Sequence, residues 1–206
     1  MTKLALIEGR AAPLPIENLD TDQIMPKQFL RIIDKAGLSD GLLYDLRFDA
    51  NGVPRDDCVL NQSRYRGASV LIGGANFGCG SSREHAVWGL QQYGFAAVIA
   101  PSFAEIFYSN AMNNRLLLVQ LERSEVNELL SLSEAPERAD AWLRIDVEQQ
   151  KVITAAGRAF SFPLGARHKR MVMDGMDTID LTLASLPEIE AFERTHFSRH
   201  PWAAVM

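Results

Sequence analysis

The chain has 206 residues, 47% hydrophobic and 23% charged, with a formal net charge of −5; that is the composition of a globular protein with room for one substantial domain. The acidic balance argues against a dedicated nucleic-acid binder, because no basic excess exists to neutralise phosphates. No run approaches the ~18 apolar residues of a membrane span.

The N-terminal stretch Met1 to Glu8 is too short in its apolar part for a signal peptide, so the expected location is cytoplasmic. The two cysteines, Cys58 and Cys79, fit a reducing compartment. They are also too few for a four-iron cluster, which takes about three or four thiolates. The N-terminal third, up to Tyr65, reads as irregular and rich in Asp, Asn, Pro and Gly, and long irregular segments in compact domains are often functional.

Ala68-Ser69-Val70-Leu71-Ile72 predicts a buried strand running into a glycine loop. Ala86, Val87, Leu90 and Tyr93 then recur at helical spacing opposite Gln91 and Gln92, with Gly94 as the C-terminal cap. Ala96 to Ala100 is a second strand, closed by Pro101. Ser102-Phe103-Ala104-Glu105 has the pattern of a capping box opening a helix through about Asn110. Leu116-Leu117-Leu118-Val119 is a third strand. Alternating strands and helices with short connections predict a right-handed parallel βαβαβ core with helices on both faces.

The flanks differ. Leu143 to Val147 alternates apolar and polar residues, and Lys151 to Thr154 answers it after a polar turn, predicting an added antiparallel hairpin. Arg167-His168-Lys169-Arg170, the densest basic cluster, reads as a solvated helix face. Ser185-Leu186-Pro187-Glu188 predicts a last helix with serine as its cap and proline in its first turn. With no repeat and no low-complexity linker, residues 1–206 read as a single α/β domain, its loops gathered at one end.

The chemistry concentrates in Gly73 to His85. Four glycines there free the backbone, and Ser81, Ser82, Arg83, Glu84 and His85 follow at a strand-to-helix turn, a geometry that binds anions. It is not a P-loop, since no lysine is near. It is not a dinucleotide fingerprint, since Arg83 stands where the third glycine belongs. Nor is it the G-x-S-x-G elbow of a hydrolase, and His85 is too close to Ser81 in sequence to be the usual remote base. The plain alternative is a helix N-cap by Ser81 or Ser82. It explains one serine, but not two serines followed by an arginine at the positive end of a helix dipole.

Gly78-Cys79-Gly80-Ser81-Ser82-Arg83-Glu84-His85 resembles the Gly-x-Gly-Ser-Ser-Arg-Glu-His signature of the swivelling β/β/α domain of the aconitase superfamily. Asn18-Leu19-Asp20-Thr21-Asp22-Gln23-Ile24-Met25-Pro26-Lys27 resembles that domain's Thr-Asp-x-Ile motif. Ala97 to Ala104, followed by Asn113-Asn114-Arg115-Leu116-Leu117, is a third match. Order, spacing and length, from about Leu14 to the C-terminal helix, resemble the separate small subunits of isopropylmalate isomerases. The resemblance implies a hydro-lyase of leucine biosynthesis that interconverts 2- and 3-isopropylmalate through isopropylmaleate. It implies a large-subunit partner, in a heterodimer or heterotetramer, that carries a [4Fe-4S] cluster. It implies no metal in this chain and a small dicarboxylate as substrate. The same chemistry on citraconate, 2,3-dimethylmalate or homoaconitate, and a non-catalytic anion-binding module, are the alternatives.

By the same resemblance Ser81 is the general base, acting as an alkoxide, and Asp22 is the second catalytic group, with a turn or helix cap as its plain alternative. Arg83, Ser82, Thr21 and Gly80 fall to substrate binding, Ser82 having the N-cap as its other role. Arg47 corresponds to a second carboxylate-binding arginine, and Leu42 and Leu43 to an apolar specificity segment. Glu84 and His85 fix the loop, His85 having a proton relay as its alternative. Cys58 and Cys79 are structural, with a reactive thiol at Cys79 as the alternative. A helix N-terminus contributes up to about 2 kcal/mol. At ~1.4 kcal/mol per pKa unit this moves a serine by little more than one unit. The dipole alone does not make Ser81 a base; further donors and exclusion of water are required.

Overall fold

The computed structural model describes residues 4–31, 36–135 and 141–204. In chain order its elements are β1 (Leu6–Leu14), α1 (Thr21–Ile24), α2 (Leu38–Gly41), α3 (Tyr44–Arg47), β2 (Val70–Gly73), α4 (Glu84–Tyr93), β3 (Ala97–Ala100), α5 (Glu105–Asn113), β4 (Leu117–Gln120) and α6 (Arg123–Glu134). There follow β5 (Trp142–Asp146), β6 (Lys151–Thr154), β7 (Ala159–Ser161), α7 (Ala166–Asp174), α8 (Thr178–Leu183) and α9 (Leu186–Arg199).

The strands form a seven-stranded sheet in the order β4-β3-β2-β1-β5-β6-β7. β2, β3 and β4 are mutually parallel, as the alternation of apolar runs and helices requires. Every residue of β2 and β3 is buried, so both faces of the sheet are covered there. α4 and α5, the two crossover helices, pack on each other, while α6 lies across β1, β2 and β3. The antiparallel β5–β6 hairpin is present as expected, extended by a third strand, β7. β5 and β6 bury alternate residues, the mark of a sheet covered on one face.

β1 is the main departure from the sequence reading, which left this segment irregular. Its second half pairs in parallel with β2, Ala11 opposite Val70 through Leu14 opposite Gly73. Its first half pairs antiparallel with β5, Leu6 opposite Asp146 through Arg10 opposite Trp142. β1 is thus where the sheet changes from parallel to antiparallel. Glu8, Gly9, Arg10 and Pro13 break its apolar pattern, so its place is set by its two neighbours rather than by local propensity.

The helix ends carry three further corrections. α5 has Ala104 as its N-cap with no side-chain bond; the Ser102 hydroxyl instead accepts from the Asn76 N–H at 2.8 Å. α4 starts at Glu84, capped by Arg83, so neither Ser81 nor Ser82 is its cap. Ser185 precedes α9 without a capping side-chain bond. Gly94 ends α4 in the left-handed conformation as expected, at φ 116. Arg167 and Arg170 are exposed on α7, as a solvated face requires.

Candidate active site

Three segments leave the C-terminal ends of β1, β2 and β3 and continue side by side past the sheet. The middle one is the glycine loop. The Gly78 N–H donates to the Leu19 carbonyl at 2.8 Å, and the Thr21 N–H to the Cys79 carbonyl at 2.8 Å. On the other side the Phe77 N–H donates to the Ser102 carbonyl, and the Ala104 N–H to the Phe77 carbonyl. Asp20 and Cys79, and Phe77 and Phe103, form parallel bridges. The loop is therefore held in sheet-like register, the arrangement in which open α/β sheets bind ligands beyond their strand ends.

Gly78 shows why this loop needs glycine. Its φ is 77, and a Cβ there would lie 2.2 Å from Cγ of Phe107. The backbone both turns left-handed and passes against the α5 aromatic, a combination open only to glycine. Phe107 in turn stacks edge-on to Phe77 at 5.5 Å, so the loop rests on the core.

α1 brings the second motif to the loop. Asp20 caps this short helix: its carboxylate accepts from the Gln23 N–H at 2.7 Å, and the Gln23 side chain accepts from the Asp20 N–H at 3.1 Å. Thr21 is 1% exposed. Its hydroxyl oxygen lies 2.9 Å from the Ser81 hydroxyl and accepts from the Ser81 N–H at 3.0 Å. Asp22 forms an ion pair with Arg83 and a longer one with Lys27 at 3.8 Å. The Asp22 side chain is 45% exposed and that of Arg83 is 18% exposed. Ser81 is half-buried, while Gly80 and Ser82 are exposed.

The structure therefore brings Ser81, Thr21, Asp22 and Arg83 together, with Ser82 and Gly80 on the same loop. Arg47 is not in this set. Its guanidinium donates to the carbonyls of Ser39 and Leu42 at 3.3 and 3.1 Å and to Asn61 Oδ1 at 3.4 Å, and it stacks on the rings of Phe48 and Tyr93. Leu42 and Leu43 are 0% and 1% exposed; their side chains are core, and the Leu43 N–H ties them to the Ile24 carbonyl at 2.9 Å. An apolar segment beside a functional loop reads the same in sequence whether it lines a pocket or packs beneath one.

Three positioning residues went unrecognised in the sequence. Asp20 was legible, since Asp-x-x-Gln is a capping box. Asn110 Nδ2 donates to the Ser82 carbonyl at 3.1 Å. Asn114 Nδ2 donates to Glu84 at 2.8 Å, and Asn114 Oδ1 accepts from the Trp88 indole at 2.8 Å. Glu84 thus anchors the start of α4, and His85 packs against Trp88 with the two rings tilted, their centroids 4.8 Å apart. Ser81 lies two residues before the Arg83 cap of α4, further from the helix dipole than an N-cap serine would be.

Among the described residues no group of three or more His, Cys, Asp or Glu side chains is placed to hold a metal. Cys58 is buried, and the Cys79 thiol donates to the Asn18 carbonyl at 3.2 Å. These two thiols do not make the ligand set of a four-iron cluster. No helix among the described residues is long and apolar enough to cross a membrane.

The aconitase C-terminal domain family matches residues 1–124. The 3-isopropylmalate dehydratase small subunit 1 of Chromobacterium violaceum is 57% identical over 202 residues, spanning 98% of this chain and 94% of the relative. The chain belongs to the 3-isopropylmalate dehydratase small-subunit family. Another small subunit of this family, from Bordetella avium, is 47% identical over 204 residues, covering 95% of this chain and 94% of that one. The crystal structure of 3-isopropylmalate dehydratase from Methanocaldococcus jannaschii is 26% identical with a TM-score of 0.63, covering 90% of this chain and 99% of that chain. Family membership and the mixed sheet agree with one another.

Proposed function

We propose that this chain supplies the base and the carboxylate-binding groups of a two-subunit hydro-lyase. The pair interconverts 2-isopropylmalate and 3-isopropylmalate through isopropylmaleate, in leucine biosynthesis. A separate large subunit carries a [4Fe-4S] cluster, which when bound supplies Lewis acidity toward the substrate hydroxyl. The reading is supported most by the convergence of Ser81, Thr21, Asp22 and Arg83 from two distant segments onto one half-open surface. The pairing of β1 with β5 supports treating the whole chain as one swivelling domain, and two free thiols fit a reducing cytoplasm.

In this scheme Ser81 Oγ takes the proton next to a substrate carboxylate. Arg83 holds that carboxylate, for which a planar guanidinium offers a two-pronged match, and the exposed Ser82 hydroxyl and the open backbone at Gly80 lie alongside. Asp22 occupies Arg83 until substrate arrives. Arg47 contributes by tying down the turn between α2 and α3, with Leu42 and Leu43 as its buried footing. The loop is wet in the free subunit, which weakens every electrostatic contribution; closure by a partner removes that water.

The experiment is reconstitution with the iron-loaded large subunit. Hydration of isopropylmaleate is expected. If the pair hydrates citraconate and not isopropylmaleate, the substrate assignment fails, and if it hydrates neither, the dehydratase reading fails.

A further inference from the structure

Thr21 carries a hydroxyl that substrate binding does not explain. It is 1% exposed, so it cannot face a ligand on the open side of the loop. Among the described residues its hydroxyl partners all belong to Ser81: the N–H at 3.0 Å, the carbonyl at 3.4 Å and the hydroxyl at 2.9 Å. A hydroxyl has one hydrogen to donate and two lone pairs to accept with. The Ser81 N–H claims one lone pair. Two arrangements then remain. In the first, Thr21 accepts from the Ser81 hydroxyl and donates to the Ser81 carbonyl. In the second, Thr21 turns its hydrogen onto Ser81 Oγ.

We propose that Thr21 is the positioning residue of the base: its hydroxyl switches from acceptor to donor as Ser81 loses its proton. This rests on the reading of Ser81 as the base. With Ser81 protonated, the first arrangement satisfies every donor. Once the Ser81 proton has left to solvent, Oγ has no hydrogen to give, and the Thr21 hydrogen moves to the shorter and now anionic acceptor. Charge-assisted hydrogen bonds of this kind are roughly twice as strong as neutral ones. When the alkoxide takes the substrate proton, the C–H bond breaks and an O–H bond forms. The C–H electron pair becomes the new C=C bond as the C–O bond breaks, its electrons leaving with the hydroxyl. Thr21 then returns to the Ser81 carbonyl. No backbone movement is needed, because the Ser81 N–H bond holds the Thr21 oxygen in place throughout.

Location and burial separate this role from substrate binding. A group that binds substrate raises KM when lost, whereas a donor to the alkoxide acts on the chemical step. Removal of one preorganised donor to a developing oxyanion costs about 100-fold in kcat.

The test compares Thr21→Val and Thr21→Ser with the wild-type chain, each reconstituted with the iron-loaded large subunit and assayed for isopropylmaleate hydration. Thr21→Val keeps the shape and removes the hydroxyl. It is expected to lower kcat by about 100-fold, with KM within about twofold of wild type, and Thr21→Ser is expected to recover most of that loss. Thermal melting of each isolated subunit reports any purely structural effect. If the unfolding midpoint falls while kcat per folded complex is unchanged, Thr21 is only a packing residue. If KM rises while kcat holds, Thr21 binds substrate. Either result overturns the proposal while leaving the dehydratase reading intact. If the wild-type pair shows no hydration, the dehydratase reading falls, and this inference falls with it.

Discussion

Asp22 of α1 and Arg83 of the glycine loop form an ion pair two residues beyond Ser81. The guanidinium is mostly buried and the carboxylate is half-exposed, so the charge is neutralised from the open side. A carboxylate of substrate is the same chemical group as the one already there. Asp22 keeps Arg83 paired in the free chain, sparing the loop an uncompensated buried charge; in the proposed scheme a substrate carboxylate takes its place.

Replacing Arg83 by lysine retains the charge and removes the fork. Hydrogen bonds to charged groups contribute about 1.5–3 kcal/mol, so kcat/KM of the reconstituted enzyme is expected to fall roughly 10- to 100-fold, chiefly through KM. Steady-state kinetics check this. Wild-type kinetics in Arg83→Lys would remove Arg83 from carboxylate binding.

Gly78→Ala tests the seating of the loop on the core. The added methyl meets the Phe107 ring, and the backbone is held at φ 77. Overpacking costs about 1–3 kcal/mol, and left-handed backbone about 1–2 kcal/mol for a residue with a Cβ. Chemical denaturation is expected to show a loss of about 2–5 kcal/mol for these two effects together. A loss under about 0.5 kcal/mol, the range of ordinary surface changes, would contradict the close approach.

The caps give a contrasting pair. Ser82 is exposed and is not the cap of α4, so Ser82→Ala is expected to leave stability within about 0.5 kcal/mol. Asp20 is a true cap with a reciprocal partner in Gln23, so Asp20→Ala is expected to lose about 0.5–2 kcal/mol. Denaturant midpoints of the two variants decide the matter, and the reverse order would contradict the assignment of the helix starts.

These outcomes also mark what was legible in the sequence. β2, β3 and β4 read clearly because strands buried on both faces are continuous apolar runs, with Gly73 closing β2 and Pro101 following β3. β1 did not, because Gly9, Arg10 and Pro13 interrupt it and its pairing partners lie far along the chain. Motif resemblance singled out Ser81, Arg83 and Asp22, and the fold brings them together. It also pointed to Arg47, Leu42 and Leu43, which lie at the turn between α2 and α3, Arg47 half-buried and the two leucines in the core. The contact between Thr21 and Ser81 depends on the register between the segments following β1 and β2. Side-chain type and spacing within either segment carry no record of that register. Ser102 had the pattern of a helix cap, but the Asn76 N–H competes for its hydroxyl.

In the proposed scheme Ser81 is the base of a site completed by a partner. Ser81→Ala, reconstituted with the iron-loaded large subunit, tests it most directly. Subunit assembly, read by size-exclusion chromatography, is expected to match wild type, while isopropylmaleate hydration falls to near background. Assembly together with wild-type turnover would remove Ser81 from the role of base.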